Sequence, residues 1–154
     1  MPEPRARGAA VVALLGLVAC GRGAPAPIPI ETGHPCAFCR MIIADTRLAG
    51  ELVAPGEEPR QYDDLGCLVA DLRRTPAPET ARAFVADYQT GVLVPAGDAI
   101  YTRLETIATP MASHLVAHAT DAARDADPRV RGGHRQTAAE VFGAAGPPGG
   151  SHGR

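Results

Sequence analysis

Lysine is absent from the 154 residues: all 15 basic side chains are arginines, set against 17 acidic ones for a net charge of -2. The arginines are scattered along the chain, so there is no basic patch to meet a polyanion. Tryptophan is absent too, and aromatics make up only 4%. That removes the stacking platform a single-stranded nucleic acid would need, and nucleic-acid binding is excluded. The 17 Gly and 15 Pro make the chain rich in turns without reaching low complexity, and neither a collagen repeat nor a coiled coil is present. What remains is 45% apolar, enough for an ordinary core in one domain or two very small ones.

Arg5 and Arg7 precede residues 8–19, GAAVVALLGLVA, an apolar run of 12. A spanning helix needs about 20 such residues, so the run fits the apolar segment of a signal peptide instead. It stops at Leu17-Val18-Ala19-Cys20, which resembles a bacterial lipoprotein processing box. That resemblance implies a signal peptide over residues 1–19, cleavage before Cys20, acylation of its thiol and of the new amino terminus, and a membrane anchor. A plain secretory signal with a chance cysteine, or a short tail anchor, is the other reading. Residues 20–33 are the lipidated cysteine and a linker, in which GRGAPAPIP at 21–29 predicts an extended, unpacked tether. Export puts the chain in an oxidising compartment, where disulfides can persist.

Beyond the linker the pattern predicts an α+β domain over residues 34–143. Residues 39–44 (CRMIIA) read as a strand, and residues 49–53 with 61–62 as a second extended stretch broken by a turn at 55–59. Asp63 or Asp64 can cap a helix carrying Leu65, Leu68, Val69 and Leu72, with Arg73 and Arg74 at its cation-favouring end. Residues 83–88 are the next strand. A similar order follows: strands at 99–106 and 114–119, a helix capped by Thr120 and ended at Pro128, a short strand near 131–135 and a helical turn or two at 137–142. Two ββαβ-like units, about 34–90 and 91–143, account for this order. Residues 144–154 are expected to be a disordered tail.

The chemistry concentrates in His34-Pro35-Cys36-Ala37-Phe38-Cys39-Arg40-Met41. A Cys-x-x-Cys turn brings two sulfurs close enough to share a metal or a disulfide. The thioether two residues on shifts the odds toward a soft ion such as Cu(I). Three other readings stay open: a structural zinc site, which lacks a second pair of ligands in the sequence; a thioredoxin-like redox pair; and a simple disulfide. Cys67, inside the helix pattern, reads as a small core residue, and Asp63-Asp64 as a helix cap. Met111, after Pro110, could fill a core gap or stay accessible, while His114 and His118 read as surface residues.

Three blocks resemble the NosL family, lipoproteins associated with maturation of the copper sites of nitrous-oxide reductase. They are Cys36-Ala-Phe-Cys39-Arg-Met41-Ile-Ile-Ala, Tyr62-Asp63-Asp64-Leu65-Gly66-Cys67-Leu68 and Thr109-Pro110-Met111-Ala112-Ser113-His114. The family pattern has Gly where this chain has Arg40 and Ala112, so both loops face a conformational cost wherever a positive φ is needed. Arg40 is also expected to favour the thiolate form of its neighbours. The resemblance implies a pair of small ββαβ units and a membrane-tethered periplasmic protein, not an enzyme, that carries Cu(I) to apo nitrous-oxide reductase or a related copper enzyme. A copper exporter is a further possible partner. It implies Cys36, Cys39, Met41 and Met111 as copper ligands, with His34 able to complete the set. The alternative function is an exported thiol–disulfide oxidoreductase using Cys36 and Cys39.

Overall fold

The computed structural model describes residues 23–150. The expected signal peptide over residues 1–19, Cys20 and residues 151–154 lie outside the described residues, among which no helix is long and apolar enough to cross a membrane.

Seven strands and three helices follow a short 3-10 turn: β1 (Gly50–Val53), β2 (Arg60–Tyr62), α1 (Leu65–Arg74), β3 (Arg82–Ala86), β4 (Leu93–Pro95), β5 (Ile100–Arg103), β6 (Leu115–His118), α2 (Asp121–Ala126), β7 (His134–Gln136) and α3 (Ala138–Phe142). One sheet runs β2-β1-β3-β4 and the other β6-β5-β7, with every neighbour antiparallel. The repeat is therefore topological. In each unit the first strand is central, the second pairs on one side, and the strand after the helix returns on the other. The fold is α+β, built from two ββαβ-like units.

The units share a core. Leu52, Tyr62, Leu65, Leu68 and Val85 of the first pack in one cluster with Tyr101, Leu115, Ala117 and Val141 of the second. The seam is tied by backbone as well: Tyr88 N–H donates to Ala117 O at 2.8 Å, and Ala119 N–H to the Asp87 carboxylate at 2.8 Å. On α1 the buried Asp71 accepts from Tyr62 Oη at 2.7 Å and from Arg60 at 2.8 Å. That pairing fixes the helix to the strand that delivers Asp63.

Several expectations change. Residues 39–44 form no strand but a tight loop with a single Pro35–Ile42 bridge. Cys36 N–H donates to Met41 O at 2.7 Å, and Arg40 turns the chain at φ +70°, which no strand accommodates. β4, whose three residues end in Pro95, is a strand beyond those expected. The tether is not wholly unpacked, since Ile28 N–H donates to buried Glu51 at 2.9 Å. Residues 144–150 are not free either. Beyond the end of β4 the Ala83 N–H lacks a strand partner, and Pro148 O accepts it at 3.0 Å. His118 is buried rather than superficial, its Nε2 3.1 Å from Asp127.

Candidate metal centre

The loop carrying Cys36 and Cys39 is held at three points. Cys36 O accepts from Arg40 N–H at 3.1 Å, Ala37 N–H donates to Gln61 O at 2.8 Å, and the Arg74 guanidinium lies 4.9 Å over the Phe38 ring. The first closes the loop on itself, and the other two press it onto β2 and α1. Asp64 caps α1, its Oδ1 accepting from Gly66 N–H at 2.6 Å. Cys67 then falls in the first helical turn with its side chain inward.

The result is a four-residue cluster. One ligand atom each from Cys36, Cys39, Asp63 and Cys67 lie within 4.8 Å of one another. Two metal–sulfur bonds of about 2.3 Å span about 4.6 Å when collinear and about 3.8 Å at tetrahedral angles, so the side chains draw in by up to about 1 Å to share one ion. Cys36, Asp63 and Cys67 are buried, Cys39 is half-buried, and all three thiols are free. Cys39 Sγ donates to Asp63 Oδ1 at 3.3 Å, whereas Asp63 Oδ2 is buried with no partner. A carboxylate oxygen left bare inside a protein costs free energy unless something positive fills the space.

Burial pushes the Cys39 thiol up to about 11, helped by its bonds to Cys36 and Asp63. Burial also raises Cys67, and the neighbouring Cys36 and Asp63 add to it. The expected thiolate-favouring effect of Arg40 is thus overturned: Arg40 is exposed, and desolvation of the thiols wins. Without metal Cys39 and Cys67 keep their protons at neutral pH.

The thioethers sit outside the buried set. Met41 is 40% and Met111 46% exposed, so neither fills a core gap. The Met111 backbone is nonetheless fastened to the centre, its N–H donating to Asp64 Oδ2 at 2.8 Å. Burial would raise Asp64, but hydroxyls of Ser113 and Thr109 and the N–H groups of Met111 and Gly66 outweigh it and hold the carboxyl low. Arg40 at φ +70° and Ala112 at φ +52° both occupy the left-handed region. Each stands beside one of the two methionines. His34 is exposed and takes no part in the cluster. His114 is occupied elsewhere, with Nδ1 at 2.9 Å from Ile107 O.

Asp63 and Cys67 are the members that sequence reasoning left as a cap and a core residue. The signal was their spacing. A capped helix points its N-cap neighbour and its third residue toward the same end, and the capping role needs only one of two adjacent aspartates.

The same arrangement of strands and helices occurs in the copper chaperone NosL from Shewanella denitrificans, with a TM-score of 0.62 over 79% of this chain and 98% of that one. This is the NosL fold. Sequence identity is 16%, so the likeness speaks for fold alone. No family model and no curated protein sequence matches the chain. Within the NosL fold, this chain gathers three thiols and a buried carboxylate in one cluster, and exposes the thioethers of Met41 and Met111.

Proposed function

We propose that the chain is a Cu(I)-binding metallochaperone, and the observation that carries the reading is the gathering of three free thiols around one buried carboxylate. Thiolate donors favour Cu(I), Zn(II) and iron–sulfur clusters, the accessible thioethers tip the choice to Cu(I), and hard ions would require more oxygen. Cys36, Cys39 and Cys67 supply the interior sulfurs, and Met41 and Met111 the accessible ones. A carrier needs such a gradient. Buried sulfurs hold the ion, and exposed thioethers give an acceptor somewhere to begin ligand exchange. No bond in the cargo is made or broken, so no catalysis is required.

The cargo's destination follows from the resemblance of the three motifs: apo nitrous-oxide reductase or a related copper enzyme, with a copper exporter as supplier. In the same reading Cys20 is lipidated and holds the protein at the periplasmic face of a bacterial membrane. The oxidoreductase alternative fits less well. A catalytic Cys-x-x-Cys presents an exposed thiol of lowered pKa, commonly at a helix N-terminus. Here Cys36 is buried, Cys39 is raised and the pair sits in a loop.

An anaerobic titration of the reduced chain with Cu(I), against a strong chelator, tests the proposal. Stoichiometric binding that weakens in Cys39→Ser and in Met111→Leu supports a site built from both segments. No binding, or a reduction potential inside the range of about -270 to -120 mV typical of thiol–disulfide catalysts, would sink it.

A further inference from the structure

Asp64 uses both carboxylate oxygens, and only one of them for the helix. Oδ1 accepts from Gly66 N–H at 2.6 Å, and Oδ2 accepts from Met111 N–H at 2.8 Å. Capping α1 needs a single acceptor. The second bond joins the start of the thiol-bearing helix to a loop 47 positions further along the chain.

Gly66 completes the fit. Its backbone is ordinarily helical, so glycine is not required for conformation, and inside a helix it costs about 1 kcal/mol relative to alanine. A β-carbon there would lie 2.7 Å from Ser113 Cβ and 3.0 Å from Asp64 Oδ1. The missing side chain is what allows residues 109–113 to close onto α1. The loop is shaped for that approach: Ala112 N–H donates to Thr109 O at 3.0 Å, Thr109 Oγ1 meets Ser113 Oγ at 3.3 Å, and Ala112 is left-handed. Cys67 is the very next residue of the helix.

We infer that Asp64 and Gly66 are positioning residues that seat Met111 beside the thiols, so that one helical turn delivers a buried sulfur and fixes an exposed one. This rests on the copper reading above. Neither residue touches the ion; each acts through Met111.

The test uses the full chain, reduced and metal-free, with Cu(I) as probe and bathocuproine disulfonate as competitor. Asp64→Ser keeps a good helix cap but is too short to reach Met111, and Gly66→Ala forces the loop outward. Circular dichroism checks that both variants are folded. Each is expected to weaken Cu(I) binding by about 10- to 100-fold, the scale seen when the support of a metal ligand is removed. Met111→Leu should lose the same factor, and adding Asp64→Ser or Gly66→Ala to it should lose nothing more. In the metal-free protein, hydrogen exchange of the Met111 amide should quicken in Asp64→Ser. Losses that multiply in the double variants, or a Met111 amide whose exchange is unchanged, overturn the positioning role while leaving copper binding intact. A wild-type chain that binds no Cu(I) overturns the copper reading itself, and the exchange measurement then reports the loop docking separately.

Discussion

Ala112→Gly should make this protein more stable, against the usual direction of such a change. Ala112 holds φ +52°, where a β-carbon crowds the following carbonyl at a cost of about 1–2 kcal/mol. Glycine removes that cost in the folded state. It also gives the unfolded chain more freedom, which opposes folding by about 0.4–1 kcal/mol. Ala112 is exposed, and its N–H keeps the bond to Thr109 O, so little packing is lost. The difference is a net gain centred near about 0.8 kcal/mol and at most about 1.6 kcal/mol. For a domain of this size that is a rise of about 2–5 °C in Tm. Thermal unfolding of the reduced, metal-free chain, followed by circular dichroism, measures it. Ala44→Gly is the control, because Ala44 is exposed and has no left-handed backbone. There only the unfolded-state effect operates, and stability should fall by about 0.4–1 kcal/mol. If both variants lose stability alike, Ala112 is unstrained and the reasoning is wrong.

Other consequences follow from the same geometry. Cys39, raised to about 11 by burial, must surrender its proton to bind Cu(I). Apparent affinity should therefore climb between about pH 6 and 9, by up to tenfold per unit for each proton released; a flat profile would contradict a thiolate ligand. Cys67→Ser should weaken Cu(I) binding while leaving the Cys36-Cys39 turn in place, and unchanged competition titrations would remove Cys67 from the site. Asp64 is held low when folded, so its contribution is present above the ordinary carboxyl pKa and is lost as pH falls through the folded value. Acidification below about pH 4 should release the Met111 amide to exchange, an effect absent from Asp64→Ser. Glu51→Ala removes the acceptor of Ile28 N–H and of Gln61. It should cost about 1–3 kcal/mol and expose residues 23–30 to proteolysis, compared with wild type by limited digestion.

Much of this was legible locally. The capped helix from Leu65 needs only Asp64, an apolar period and terminal arginines, all properties of neighbouring residues. The strands over 100–103 and 115–118 and the Thr120 cap are of the same kind. Residues 39–44 misled because Met41, Ile42 and Ile43 favour a strand locally, while the backbone bonds of Cys36 and the left-handed Arg40 close a loop instead. β4 carries too few residues, one of them Pro95, to register at all.

The sequence by itself determined which atoms could bind a soft ion, because donor chemistry belongs to the side chain wherever it lies. Cys36, Cys39 and Met41 stand out on that ground, and Met111 only through the resemblance of its motif. Which atoms meet was settled only by tertiary structure. Cys67 reaches Cys36 because the β1–β2 hairpin folds back and Tyr62 and Arg60 lock α1 through Asp71. Asp63 turns to the thiols because Asp64 has taken the cap, and the Met111 backbone is tied to the start of α1 because that same carboxylate has an oxygen to spare. Proximity is a product of chain closure over tens of residues, and no local pattern encodes it.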